Sequence, residues 1–511
     1  MKGSQSTFHD IILTTLNGRF SHSGIGLRYL YANLKELQEK TIIQEYVINE
    51  RMQDIAEQIL SFCPKIIGIG VYIWNVSDVS ELIQIIKKVS PQTIIILGGP
   101  EVSYVPFRVN LDKADYIIQG EGEIQFYTLC KDILENKEIK QQIFLPQIID
   151  IGQIELPYQY YNEEDIQHRH IYVEASRGCP YNCEFCLSSL DKQVRNFDIE
   201  ILLKEFEILW QKGVRDFKFI DRTFNLNIEV ATKLLDFFLG KDEPYTTHFE
   251  VIPDNFPFEL REKIKQFPKG SLQLEIGIQT LKKEIAKNIK RNLNIPKIKE
   301  NIAFLENETN AHIHLDLIIG LPGESMESFG ENLDYLCSLS HSEVQIGVLK
   351  KLSGTTLNRH DEEHGMIYSD IPPYDILANN LIPFSKMQEM KRFSRYWDLI
   401  YNSGNFTKTF NFLIKDKSVY TTFYDFSSWL YSQTYSTWQI SMDRLAKYLF
   451  DFITEIQEIE KEFVADILVQ DILKVNGRKL PKFLRPYSDV KSSFNGTTIQ
   501  NKQKRQQKRG D

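Results

Sequence analysis

Three cysteines stand close together in the stretch RGCPYNCEFC, at Cys179, Cys183 and Cys186. The chain has only six cysteines, so half of them lie in this short segment. Reduced thiolates are soft ligands for zinc and for iron–sulfur clusters. Three cysteines on a four-iron cluster leave one iron open to another ligand. A structural zinc site needs four protein ligands, so zinc would have to recruit His168 or His170. Ordinary buried cysteines are a third alternative, which the clustering disfavours.

The composition sets limits on where such a centre could operate. The chain has 511 residues, 42% hydrophobic and 25% charged, which predicts a globular protein of several domains. The six cysteines show no regular disulfide framework, which favours a reducing compartment. We find no apolar run that could span a bilayer and no secretory signal, so we expect a cytoplasmic protein without membrane contact. The net charge of −9 disfavours a nucleic-acid partner.

Short apolar runs alternate with helical patterns over residues 1–145. The runs DIILTTL, PKIIGIGVYI, TIIILGG and ADYIIQGEGE read as buried strands, and several of them end in glycine. Continuous β-branched strands separated by helices predict an α/β domain with a doubly wound parallel sheet. Ligands of such sheets bind beyond the carboxyl ends of the strands, where these glycines lie.

The rest of the chain divides into four predicted parts. Residues 146–169 form a connector, and residues 170–360 contain six further strand signals separated by helices. Six βα repeats predict a partial (β/α)6 barrel with its active groups at the carboxyl ends of the strands. Residues 361–490 are rich in aromatic helical segments and predict a mostly helical domain. The polar, basic residues 491–511 predict a disordered tail.

The cysteine segment RGCPYNCEFC closely resembles the cluster motif of the radical SAM enzymes. EIGIQT (275–280), DLIIGLPGE (316–324) and VLKKLSGTTL (348–357) resemble the fourth, fifth and sixth strand segments of that family. The resemblance implies that the three cysteines hold a [4Fe-4S] cluster whose open iron chelates S-adenosylmethionine (SAM). It also implies reductive cleavage to a 5′-deoxyadenosyl radical, with an electron donor such as flavodoxin or ferredoxin.

The same resemblance suggests which residues contact SAM. Phe185 matches an aromatic position near the adenine. DRTFN (221–225) stands where many members have a Gly-Gly-Glu segment, so Asp221 is the candidate acceptor for the SAM ammonium group. Strand-end carboxylates are alternatively satisfied structural groups. Four polar residues near strand ends are candidates for contacts to the ribose or the methionine: Glu250, Glu275, Gln279 and Asp316.

The N-terminal segments SHSGIGLRYLYANL (21–34), LGGPEVS (97–103) and YIIQGEGE (116–123) together resemble a cobalamin-binding domain. The motif D-x-H-x-x-G, which supplies an axial histidine, is absent, and we do not assign His22 to that role. The resemblance implies that the residues after the second predicted strand cover the lower cobalamin face: Tyr72, Ile73, Trp74 and Asn75. The implied contacts at the glycine turns are Gly98, Gly99, Pro100, Gly120, Glu121 and Gly122. A domain that binds nothing is the alternative.

Together these observations predict a cobalamin-dependent radical SAM enzyme that methylates an unactivated carbon of a small molecule or peptide. A radical SAM enzyme that rearranges or cyclises its substrate without methyl transfer is a second possibility. A non-catalytic protein that senses cobalamin or redox state is a third. A zinc-stabilised RNA-binding module is the fourth, and the acidic charge counts against it.

Overall fold

The computed structural model describes residues 9–475 and 477–487, and the chain divides into two compact units. The first unit runs to Phe249 and also includes Lys350–Asn358 and Tyr368–Asp375. The second unit comprises Glu250–Leu349, Arg359–Ile367 and the chain from Ile376 onward. The predicted disordered tail at 491–511 lies outside the described residues.

A six-stranded parallel sheet, with strand order β2-β1-β3-β4-β5-β6, opens the first unit. Its strands are β1 (Ile11–Asn17), β2 (Thr41–Val47), β3 (Ile66–Gly70), β4 (Ile94–Gly98), β5 (Tyr116–Ile118) and β6 (Ile143–Phe144). Its helices are α1 (Ile25–Ala32), α2 (Met52–Leu60), α3 (Val76–Val89) and α4 (Glu123–Leu134).

Both faces of this sheet are covered. All seven residues of β1 are buried, and successive side chains enter two separate cores. Ile12 packs with α2 and α3 in one core, whereas Leu13 packs with α1 and α4 in the other. Burial on both faces is why these strands read as continuous apolar runs. The doubly wound sheet predicted from the sequence is confirmed.

The chain then crosses an ordered connector and enters the barrel region. Arg28 and Asp165 form a buried ion pair of 2.7 Å, which ties the connector to α1. β7 pairs with β10, and β10 with β11, in parallel. The elements are α5 (Glu163–His168), β7 (Ile171–Val173), β8 (Ser176–Arg177), β9 (Arg195–Asn196), α6 (Ile199–Gln211), β10 (Asp216–Phe219), α7 (Ile228–Leu239) and β11 (Thr246–Val251).

The second unit begins with further βα repeats, in which β12, β13 and β14 pair in parallel. Buried residues alternate with partly exposed ones along β12 and β13, as expected for strands with one fully covered face. All six predicted barrel strands are therefore present and separated by helices. The elements are α8 (Phe258–Ile264), β12 (Leu272–Gln279), α9 (Lys283–Asn288), α10 (Ile295–Glu308), β13 (His312–Ile319), α11 (Met326–Leu339) and β14 (Glu343–Val348).

The C-terminal region is helical, as predicted, but two short strands precede its first helix. Phe393, Trp397 and Phe423 form its aromatic core, with ring centroids 5.1–5.9 Å apart. No helix among the described residues combines the length and apolarity needed to cross a membrane. The elements are β15 (Ile367–Tyr368), β16 (Ile376–Ala378), α12 (Phe384–Trp397), α13 (Thr407–Leu413), α14 (Val419–Thr434), α15 (Met442–Asp451) and α16 (Lys461–Leu473).

Candidate functional site

The three-cysteine segment forms a loop on a short antiparallel stem. The stem is β8 and β9, in which Arg177 lies opposite Arg195. Gly178 follows the stem with a φ of +88°, and a Cβ atom there would overlap the carbonyl oxygen of Gln193. Because L-residues with side chains avoid this φ and this contact, only glycine fits the start of the loop.

Hydrogen bonds fold the loop back on itself. The Cys179 N–H donates to the Asp191 carbonyl at 2.8 Å. The Ser189 hydroxyl lies 2.8 Å from the Cys183 carbonyl oxygen and 2.7 Å from that of Cys186. Cys179 and Cys183 are buried and Cys186 is half-buried, in a compact turn. Three soft donors in one shielded turn fit a cluster ligand set.

Two predicted SAM contacts lie in the same unit. Phe185 is half-buried within the loop. The buried Asp221 follows β10, and its carboxylate accepts hydrogen bonds from the Ala175 N–H at 2.9 Å and the Ser176 hydroxyl at 2.6 Å. Burial raises the pKa of Asp221 to about 7, although these hydrogen bonds act in the opposite direction. Asp221 therefore holds the backbone at the start of the stem. Its contact with the SAM ammonium group stays a prediction.

The other four SAM candidates occupy three strands. Glu250 lies on β11, Glu275 and Gln279 on β12, and Asp316 on β13. Gly277 is paired with Asp316 across the two strands. Gln279 has a φ of +61° at a register shift and is buried, so the strand end is bent there. The structure leaves the roles of these four residues as predictions.

A glycine-lined cleft of about 180 Å³ lies at the carboxyl ends of β3, β4 and β5. Tyr72 from the β3–α3 turn contributes to its wall, together with residues of α1 and α4. Predicted contact residues that line the cleft are Tyr72, Gly98, Gly99, Gly120, Glu121 and Gly122. The exposed Pro100 begins the turn after β4 and is not among the lining residues.

The glycines of the cleft serve two different purposes. A Cβ atom at Gly99, where φ is +109°, would lie 2.6 Å from the Val71 carbonyl oxygen, so the backbone itself requires glycine. At Gly98 the nearest atom would be the Ile118 carbonyl oxygen at 3.7 Å, and at Gly26 the Tyr72 hydroxyl at 3.7 Å. A Cβ atom at either position would therefore make only ordinary contacts. The cleft walls therefore fit a bulky ligand that approaches the backbone.

The residues after β3 have separate roles. Trp74 is exposed and stacks on Tyr72 with ring centroids 4.5 Å apart and an interplanar angle of 5°. The fully buried Asn75 amide donates to the carbonyl oxygens of Leu16 and Gly70 at 3.1 Å each. Asn75 thus ties the ends of β1 and β3 together and does not line the cleft.

The cleft and the cysteine loop share one carboxylate that sequence reasoning did not connect to the loop. Glu121 lines the cleft and pairs with both stem arginines, at 3.1 Å to Arg177 and 2.9 Å to Arg195. Burial alone would raise the pKa of Glu121, but hydrogen bonds from Arg195 and the Ile149 N–H, with the charge of Arg177, lower it overall. Glu121 is therefore an ionised link between the two sites.

Arg177 connects Glu121 to two further carboxylates and to an aromatic ring. It pairs with Glu123 at 2.8 Å and with Glu174 at 2.9 Å, and its guanidinium lies 4.7 Å from the centre of the Tyr29 ring. Glu123 is itself part of the cleft wall. The position of Arg177 two residues before the first cysteine is the signal in the sequence that could have drawn attention to it.

Three family models match separate segments of the chain. Residues 12–129 match the B12 binding domain, and residues 173–336 match the radical SAM superfamily. Residues 362–509 match a domain described as a protein of unknown function (DUF4080). The first two matches confirm both resemblances predicted from the sequence.

Three known proteins are similar to much of this chain. An uncharacterized methyltransferase of Pyrococcus horikoshii is 26% identical over 65% of this chain and 77% of that protein. The cobalamin-dependent radical SAM methyltransferase TokK of Streptomyces tokunonensis is 23% identical over 73% of this chain. The aligned part spans only 62% of TokK. The cobalamin-dependent SAM radical enzyme OxsB, solved with aqua-cobalamin and SAM, shares the fold with a TM-score of 0.60 at 14% identity, over 92% of this chain and 80% of OxsB.

The domain content also settles the cofactor classes. A radical SAM domain implies a [4Fe-4S] cluster and SAM, and a B12 binding domain implies cobalamin. The predicted enzyme class and cofactors are thereby confirmed. The chain is an enzyme that carries a radical SAM domain after an N-terminal B12-binding domain.

Proposed function

We propose that this enzyme is a methyltransferase that acts on an unactivated carbon of a small molecule. When bound, the cofactors supply a radical derived from SAM and a transferable methyl group. The observation that carries the proposal is the Glu121 link, because it joins the glycine-lined cleft to the cysteine loop within one compact unit. The names of the relatives from Pyrococcus horikoshii and Streptomyces tokunonensis, both methyltransferases, support this reaction class.

The roles of the site residues follow from their places. We propose that Cys179, Cys183 and Cys186 hold the cluster, since their loop is folded by its own backbone and by Ser189. Cobalamin would lie against the glycine walls of the cleft, with the Tyr72–Trp74 stack beside it. Phe185 and Asp221 are the proposed SAM contacts of this unit. These residues position the reactants and exclude water.

The edge of the cysteine loop offers a place for an electron donor. Pro180, Tyr181 and Asn182, which follow the first cysteine, are all exposed. A small redox protein such as flavodoxin or ferredoxin that docks there would contact residues adjacent in sequence to the proposed cluster ligands. We propose this face as its docking site.

A labelling experiment tests the reaction class. The anaerobic protein, loaded with cluster and cobalamin, is incubated with a strong reductant and SAM that carries a deuterated methyl group. We expect label in cobalamin and formation of 5′-deoxyadenosine, both measured by mass spectrometry.

The two readouts separate the alternatives. 5′-Deoxyadenosine without label in cobalamin would contradict methyl transfer and favour a rearrangement or cyclisation. Neither product, with all cofactors bound, would favour a non-catalytic sensor. Unlabelled SAM is the control, because cobalamin should then carry no deuterium while 5′-deoxyadenosine still forms.

A further inference from the structure

We propose that His312, His314 and Glu343 form a zinc site at the amino-terminal ends of β13 and β14. These residues belong to the second unit and to none of the motifs assigned above. Their ligating atoms all lie within 4.8 Å of one another. Two imidazoles and one carboxylate are a recurrent zinc ligand set that leaves a fourth position for water.

The two strands bring the three side chains together. His312 and His314 are two residues apart on β13, so they lie on the same face of the strand. Their rings are 4.7 Å apart, centre to centre. Glu343 is the first residue of β14 and stands directly opposite His314 in the parallel register. The cluster therefore rests on regular backbone and not on a flexible loop.

The distances are compatible with a metal after a local rearrangement. His314 Nε2 lies 3.6 Å from one Glu343 oxygen, and His312 Nε2 lies 3.2 Å from the other. The Gln273 amide nitrogen lies 3.2 Å from His314 Nε2, so zinc would take the place of this contact. Ligands about 2.0–2.2 Å from a tetrahedral zinc ion are separated from each other by roughly 3.3 Å, so the three side chains would also draw together.

The three side chains are largely shielded from solvent. The Glu343 side chain is only 2% exposed, and both imidazoles are 14% exposed. Positive charge close by stabilises a buried carboxylate, and a divalent ion between the three groups would add such charge.

A glutamine orients the second imidazole. The Gln345 amide nitrogen lies 2.8 Å from His314 Nδ1. When zinc occupies Nε2, Nδ1 carries the proton and needs an acceptor. A half-turn of the Gln345 amide places its oxygen there, so the residue can serve as the outer partner that fixes the ring.

Metal content of the full-length protein tests the proposal. The chain with its reconstituted cluster is equilibrated with zinc, freed of unbound metal, and analysed for zinc and iron by mass spectrometry. We expect one zinc per chain in addition to the cluster iron. His314→Gln should weaken zinc binding by about tenfold or more and leave iron unchanged.

Three controls make the outcome decisive. His22→Gln changes a histidine outside the cluster and should retain both metals, whereas His312→Gln should repeat the loss of zinc. Cys183→Ala should lose iron and keep zinc, which excludes zinc in the cysteine loop. An iron-loaded, folded protein that binds no zinc, or equal zinc in the His314→Gln variant, would overturn the proposal.

Discussion

The cysteine loop and the glycine-lined cleft bind their proposed ligands in opposite ways. The loop provides donor atoms, and its backbone is fixed by Gly178 and Ser189. The cleft provides space, because at Gly26 and Gly98 a Cβ atom would meet no protein atom closer than 3.7 Å. Ligand binding by the loop should therefore be lost when a donor atom is removed. Ligand binding in the cleft should be lost when side-chain atoms are added.

Removal of a thiol should have the largest effect. Cys183→Ala deletes one of three proposed cluster ligands, so we expect loss of nearly all cluster iron. Cobalamin binding should persist, since the cleft does not include this residue. Iron analysis and cobalamin absorbance on the same sample check both points. Full iron content in the variant would show that the cluster lies elsewhere.

Addition of a side chain in the cleft should have the second-largest effect. Gly98→Leu fills the cleft, and we expect cobalamin affinity to fall by about tenfold or more, about 1.4 kcal/mol at least. Iron content should not change. Gly240→Leu is the matched control, because Gly240 follows α7 away from the cleft and a Cβ there makes ordinary contacts. Equal cobalamin affinity in both variants would show that cobalamin does not bind in the cleft.

Loss of the shared carboxylate should have a moderate effect. Glu121→Gln removes the charged partner that Arg177 and Arg195 share, although each arginine keeps another carboxylate. We therefore expect a drop of about 1–3 kcal/mol in the free energy of unfolding. Chemical denaturation measures it. Glu135→Gln breaks a surface pair with Lys137 and should change little. Equal stability of the two variants would mean that the link contributes nothing.

A pH dependence of stability is expected at the entry to the stem. Burial raises the pKa of Asp221 to about 7, above its unfolded value, so the folded state binds more protons between about pH 4 and pH 7. Stability should therefore fall as the pH rises through this window, and Asp221→Asn should remove this contribution. Unfolding midpoints from about pH 5 to pH 8 test it. Parallel curves for the two proteins would contradict the shifted pKa.

The sequence predicted what local patterns determine. Fully buried strands such as β1, β3 and β4 were visible as continuous β-branched runs, whereas the half-buried edge strand β2, with Gln44 and Glu45, was not. The short strands β15 and β16 were too brief to detect among the aromatic helical segments.

The candidate sites divide in the same way. The cysteines lie close together in sequence, so their spacing was informative. Arg195 and Glu121 are 74 positions apart, and only the fold reveals their pairing. Asn75 was assigned to the ligand because of its position after a strand, but its amide is occupied by carbonyl oxygens at the strand ends. Hydrogen-bond partners of this kind depend on tertiary contacts.

We propose that the cysteine loop supports radical chemistry on SAM. This is tested by the amount of 5′-deoxyadenosine formed by the anaerobic, reduced, cluster-loaded protein, compared with Cys183→Ala. We expect production in the native protein and none in the variant. Equal production by both proteins, or none from the native protein with its cluster and SAM bound, would contradict it.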